Sequence, residues 1–370
     1  MIAPAVAVHT HGQRGQQWQQ RVQGQCPLLV LTLGFTATGL IPGISAAGAT
    51  PADRQWTALA DAEFMVNGPT PRPTFPLPPL TAGASPALIS RAVVAGQQIP
   101  LTLLNAGLPH PPSVPHLDLG GQPARCLTSG SALPLEQVQQ LWHRGLALGH
   151  QLAATPAAYL LLAECVVGGT TTALGVLTGL GIEAGGRVNS SHPTCNHRQK
   201  QQLVQRGLIQ AGLGSAQAAP HPLAVVAAVG DPMQPVVAAL ALAASRSKPV
   251  MLAGGTQMLA VYALMQALAE VEHCAWQPAN VVVGTTRRVA EDPSGDTVGL
   301  AQLTDACLMA SQVSFQRSRF AALRAYEQGY VKEGVGAGAC AIAASLYQGW
   351  DQIRLLAAVE EVLVQKAAWE

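Results

Sequence analysis

Tyr159-Leu-Leu-Leu-Ala-Glu-Cys-Val-Val-Gly-Gly-Thr-Thr-Thr172 decides the fold. An apolar run of strand length carries a single acid, Glu164, near its end. It then passes through two glycines into small hydroxyl residues and an Ala/Leu/Val stretch, which is the order strand, tight turn, helix. The pattern recurs. Leu28 to Leu33 and Pro100 to Leu104 read as strands. Val225 to Val229 precedes Gly230-Asp231-Pro232, Pro249 to Ala253 precedes Gly254-Gly255-Thr256, and Asn280 to Val283 precedes Gly284-Thr285-Thr286. Strands alternating with helices specify a parallel sheet with helices on both faces. The expected class is therefore α/β: a Rossmann-like three-layer parallel sheet, with a smaller, mainly helical lobe formed by the chain ends. Ligands of such sheets sit at the carboxyl ends of the strands, where these glycine turns fall.

Outside these units the chain is less regular. Residues 1–25 are Gln-rich and lack sustained apolar periodicity; they read as a loosely ordered extension or a short surface helix, leaving 26–370 as the α/β domain with its helical subdomain. Pro69 to Pro79 is a polyproline-like connector, and Leu108 to Pro115 is a second Pro-rich loop. Ser85-Pro86-Ala87 opens a helix with Ser as cap and Pro at the first position. Leu135, Val138, Leu141, Trp142, Leu146 and Leu148 mark an amphipathic helix. No strict repeat supports a solenoid.

Composition excludes several classes. Of 370 residues 49% are apolar, enough for a large core, and only 11% are charged. Gly and Pro are abundant at 37 and 27, which suits tight loops and close helix–sheet packing rather than a coiled coil or a disulfide miniprotein. The net charge is +1, with no basic block, so a nucleic-acid footprint is not expected. The cysteines number seven. They are scattered without a C-x-x-C, and read as reduced thiols of a cytoplasmic protein. Mean hydropathy is +0.24, so membrane readings need weighing. Met1 to Ala49 resembles a signal peptide only with an overlong Gln-laden start and an apolar run broken by Gly34, Thr36, Thr38 and Gly39. Pro249 to Ala269 has the length of a membrane span, but Gly254-Gly255-Thr256-Gln257 makes it strand, turn and helix.

Gly168-Gly169-Thr170-Thr171-Thr172 sets small residues, free amides and hydroxyls at a helix start, where an anion such as phosphate is favoured; the same residues also serve a plain capped turn. Gly254, Gly255 and Thr256 repeat the chemistry, as does Gly284-Thr285-Thr286. Several such turns on one sheet favour a phosphorylated ligand. There is no Walker motif, and the glycine-dense run around Gly334 and Gly336 does not fit G-x-G-x-x-G. Glu164 and Glu333 stand against apolar, glycine-rich sequence. There a carboxylate's pKa rises and it can act as a base; the plainer alternative is a helix cap or an ion pair. His192, Cys195 and His197 have metal-like spacing but no second cluster, so no metal is expected. His110 and His116 read as structural or substrate-facing.

Six blocks carry a family resemblance: Ile41-Pro-Gly-Ile-Ser-Ala-Ala-Gly-Ala-Thr-Pro51, Ala60-Asp-Ala-Glu-Phe64, Glu164 to Gly175, Val229 to Val237, Leu252 to Met258 and Val331 to Gly338. From about Pro27 onward the chain resembles a divergent branch of the nicotinate-nucleotide–dimethylbenzimidazole phosphoribosyltransferase family. The main branch carries Glu-Met-Gly-Ile-Gly-Asn-Thr-Thr, similar to Glu164 through Thr171, and Gly-Glu-Gly-Ser-Gly-Ala, similar to Lys332 through Ala337. Gly169 stands where that branch has Asn and Lys332 where it has Gly. Its His-rich substrate motif has no match near Ser314 to Ser318. These departures bear on substrate more than on reaction type.

The resemblance implies transfer of phosphoribose from nicotinate mononucleotide to a benzimidazole-type or purine base, as in cobalamin lower-ligand synthesis. Glu333 would be the general base and Glu164 would line the site. It also implies no cofactor and a homodimer. Rival readings are a non-catalytic nucleotide-binding protein of the same fold and an exported binding protein.

Overall fold

The computed structural model describes residues 5–213 and 220–368. Among these residues eight strands form one sheet: β1 Val6–Val8, β2 Pro27–Gly34, β3 Leu101–Gly107, β4 Leu117–Asp118, β5 Tyr159–Cys165, β6 Val250–Ala253, β7 Val281–Thr286 and β8 Leu308–Ser311. Their order is β1-β8-β7-β6-β5-β2-β3-β4. All pairings are parallel except that of β1 with β8. β2 and β5 are buried along their whole length, as strands covered on both faces must be. From β2 the chain moves towards β3 and β4. From β5 it moves the other way, through β6 and β7 to β8. The order thus reverses between β2 and β5, which sit side by side with Thr32 opposite Glu164.

Two apolar layers sandwich the sheet. Leu160 and Leu162 of β5 face one, with the helices Leu135–Ala153, Met233–Ser245 and Thr256–Val271; Tyr159, Leu161 and Ala163 face the other. The second layer joins the helical ends of the chain. Gln97 Nε2 donates to Ala344 O at 2.8 Å, and Ser90 Oγ to Val335 O at 2.8 Å. These bonds tie Ala87–Gly96 to the segment leading into, and the helix at, Ala337–Gln348.

Three expectations change. Val225 to Val229 is not a strand but part of the helix Pro222–Val229, whose first position is Pro and whose preceding His221 ring accepts from Leu223 N. A short apolar run fits a buried helix as well as a strand, and the Pro decides. Gly284-Thr285-Thr286 is the end of β7 rather than a turn into a long helix. The Gln-rich extension is tied down rather than loose. β1 closes an edge of the sheet, and the helix Gly12–Val22 buries Trp18, which is 1% exposed, meets Tyr159 edge-on at 5.5 Å and donates to Asn280 O. The first four residues of that extension lie outside the described residues. The run from Pro27 that a signal peptide would use is the central strand β2. Among the described residues no helix is long and apolar enough to cross a membrane.

Candidate functional site

A cavity opens beyond the carboxyl ends of β2, β5 and β6, at the point where the strand order reverses. Glu164, Gly168, Gly169, Thr170, Gly255, Thr256, Glu333 and Gly334 line it. Thr171, Gly254 and Gly336, also expected at the site, stand behind its wall. Thr171 is fully buried, and a Cβ on Gly336 would meet those of Ala163 and Ala253 at 2.9 and 3.1 Å.

Two turns present amides to the cavity. Gly168 caps the helix Gly169–Gly179 at φ 88°, and a Cβ there would come within 2.7 Å of Gly39 N. Only glycine serves that position. The Thr170, Thr256 and Gln257 amides, in the first turns of their helices, have no acceptor among the described residues, as helix starts dictate. Such amides suit an anion. The threonine hydroxyls are not all available: Thr172 Oγ1 donates to Asp231 at 2.6 Å.

Acids form the rest. Glu164, 4% exposed, accepts one hydrogen bond, from Val166 N at 2.9 Å. Burial, with Asp231, Glu333 and Asp61 nearby, pushes its pKa up to about 8. Glu333 differs. Its Oε2 accepts from Thr285 Oγ1 at 3.0 Å and Thr286 N at 2.9 Å; its Oε1 accepts from Gly334 N at 3.2 Å and Gly338 N at 3.1 Å. A Cβ on Gly338 would lie 2.0 Å from the Thr285 carbonyl carbon, so glycine is what lets that amide reach Glu333. Burial raises the Glu333 pKa while these four bonds oppose the rise. A carboxylate has about four acceptor sites, and Glu333 uses all of them within the protein.

Beside Glu333, Lys332 pairs with Asp292, both side chains 3% exposed. Burial would lift Asp292, but Lys332, Ser294 and Asn189 outweigh it and hold the pKa at about 2. Asp61, Ser85 and Ser190 also line the cavity and were missed as site residues. The available signal for Asp61 was an acid set in the apolar run Ala60-Asp-Ala-Glu-Phe64. The metal-like trio is divided among separate partners. His192 Nε2 bonds Gly43 O at 3.1 Å, Cys195 Sγ approaches Asp292 at 3.6 Å, and His197 bonds Ser294 O. No group of metal-ligating side chains assembles among the described residues. His110 stacks on Trp56 at 5.2 Å and His116 bonds Val114 O. Neither lines the cavity.

A phosphoribosyltransferase family model matches residues 93–281. A UPF0284 protein of Cyanothece sp. (strain PCC 7425 / ATCC 29141) is 64% identical over 96% of both chains. A UPF0284 protein of Trichodesmium erythraeum (strain IMS101) is 60% identical over 96% of this chain and 98% of its own. Among solved structures, a nicotinate-nucleotide-dimethylbenzimidazole phosphoribosyltransferase of Thermus thermophilus superposes with a TM-score of 0.56 at 18% identity. That match covers 96% of this chain and 90% of the other, and a second, described as CobT from the same organism, gives a TM-score of 0.57 over the same shares. The fold is shared with both, and the chain belongs to the phosphoribosyltransferase family, alongside its UPF0284 relatives.

Proposed function

We propose that the protein is a pentosyltransferase that moves phosphoribose from nicotinate mononucleotide to a nitrogen of an aromatic base, releasing nicotinate. The observation that carries this reading is one cavity at the strand-order reversal that joins unsatisfied helix-start amides to buried carboxylates. The amides of Thr170, Thr256 and Gln257 would take the phosphate. The acceptor nitrogen attacks the ribose C1′; the bond from C1′ to the nicotinate nitrogen breaks, and its electron pair returns to the ring. The acceptor's ring proton passes to a carboxylate.

The resemblance gives that last role to Glu333. The hydrogen bonds favour Glu164. Its second oxygen has no protein donor among the described residues, and a pKa of about 8 is poised for proton transfer near neutrality. The cationic nicotinate ring, once docked, favours the ionised form that accepts a proton. Glu333, held by four donors, would instead stabilise positive charge developing on the ribose.

Incubation with nicotinate mononucleotide and a panel of aromatic bases, followed by mass analysis, tests the reaction: nicotinate and a base-ribosyl-phosphate should appear together. Glu164→Gln should lower kcat by about 10²–10⁴ while leaving the KM for nicotinate mononucleotide nearly unchanged. Binding of the mononucleotide without either product would point to a nucleotide-binding protein instead. If Glu333→Gln alone abolishes turnover while folded, the base assignment reverts to Glu333.

A further inference from the structure

Asp61 is the fifth residue of the helix Thr57–Asn67, inside the unbroken buried stretch Thr57 to Met65. It is too deep in the helix to cap it, and an acid there has poor helix propensity. Glu63, two residues on, shows what a structural acid in this helix looks like: it accepts from Thr74 N, Phe75 N and Ser113 Oγ at 2.8 to 2.9 Å. Among the described residues Asp61 has only the Ser85 hydroxyl at 3.4 Å and the Cys165 thiol, a weak donor, at 3.3 Å. No cation pairs with it among the described residues, yet it is 5% exposed and lines the cavity. Burial pushes its pKa up to about 6, so it is ionised at neutral pH. A buried carboxylate so poorly partnered costs free energy unless a ligand supplies donors. A second lining group is also waiting: Ser190, 4% exposed, has a hydroxyl with no partner among the described residues.

We infer that Asp61 is the specificity residue for the acceptor, and that the acceptor is a bicyclic heteroaromatic base of the aminopurine class, whose amine donates to the Asp61 carboxylate. This rests on the transferase reading above, because it takes the base to occupy the cavity beside Glu164. Asp61 and Glu164 lie within electrostatic reach of one another. One ligand can therefore present an amine to the first and its reacting nitrogen towards the second. A dimethyl-substituted benzene edge in the same place would leave Asp61 without a donor.

The test is calorimetric binding of adenine and of 5,6-dimethylbenzimidazole to the full chain, with turnover of nicotinate mononucleotide followed separately. Adenine should bind the wild type more tightly. Asp61→Asn should weaken adenine by about 10- to 100-fold, the usual worth of a hydrogen bond to a charged group. It should leave dimethylbenzimidazole and the mononucleotide's KM unchanged, and Asp61→Leu should invert the preference. Should the wild type prefer dimethylbenzimidazole, or should Asp61→Asn weaken both bases equally, the inference is overturned even if phosphoribosyl transfer proceeds. Adenine binding that depends on Asp61, without turnover of any base, would sustain the Asp61 assignment and overturn the transferase reading.

Discussion

Replacing Glu164 with Gln should make the protein more stable at neutral pH while removing its activity. Burial and three neighbouring acids hold the native carboxyl protonated up to about pH 8, whereas in the unfolded chain it ionises near its ordinary value of about 4.3. Between those values the unfolded state holds fewer protons, so stability falls as pH rises, by about 1.4 kcal/mol per unit. At pH 7 the loss from this one group is about 4 kcal/mol. Gln keeps the acceptor for Val166 N and carries no proton to lose. For a chain of this length, about 4 kcal/mol corresponds to a rise in Tm of about 5 °C. Scanning calorimetry of wild type and variant from pH 4 to 8 is the assay. The two curves should converge near pH 4 and separate progressively above it. Asp61 and Asp231, each raised to about 6, should give both proteins a shared fall between about pH 4 and 6. A variant no more stable than wild type at pH 7.5, or a gap that does not widen with pH, would refute the buried-acid reasoning.

Lys332→Met should strand Asp292 as an unpaired buried charge and cost about 3–5 kcal/mol, read from urea midpoints; Lys332→Met with Asp292→Leu should recover much of it. The Asp292 pKa of about 2 places the acid loss of this pair below the ordinary carboxylate range. Its contribution is therefore intact above about pH 4 and vanishes as pH falls towards 2. Trp18→Ala should cost about 3–5 kcal/mol, because it empties the contact with Tyr159 that fastens the N-terminal helix. A loss under about 1 kcal/mol would show that this helix is peripheral.

What could be read from the sequence followed from how local each signal is. Tyr159–Cys165 was legible because a strand buried on both faces must be continuously apolar, and its two glycines mark the next turn. Val225 to Val229 has the same composition but is a helix, distinguished only by Pro222. Trp18 hides in a polar segment whose three buried residues, Gly15, Trp18 and Val22, make a stripe too narrow to stand out. Glu164 and Glu333 were conspicuous because the chain has so few acids. The Lys332–Asp292 pair joins residues 40 apart in sequence, with nothing local to either that announces the other. The two acids of Ala60-Asp-Ala-Glu-Phe64 look alike in sequence. Only the folded positions of Thr74, Phe75 and Ser113 show that one is satisfied and the other is not.

The loop that carries Glu333 argues for a division of labour between the two carboxylates. Val331 and Val335 adopt φ of 47° and 54°, a left-handed conformation that β-branched residues resist at about 1–3 kcal/mol each. Such strain persists only where the surroundings over-determine the backbone. Here Thr286 Oγ1 donates to Lys332 O at 2.6 Å, Ser90 Oγ donates to Val335 O, Lys332 is bound to Asp292, and four donors grip Glu333. A side chain so anchored does not shuttle a proton easily, since protonating either oxygen would turn an acceptor against a donor already there. It is well suited to holding a fixed negative charge against the substrate. Among the described residues Glu164 has one bond and a free oxygen, and its pKa of about 8 lies close to neutrality, the properties a proton acceptor needs. Replacing Glu333 with Gln would set an amide NH₂ against at least one of the N–H donors that hold the loop. Its effect on turnover is therefore interpretable only alongside its effect on folding, whereas Glu164→Gln separates the two.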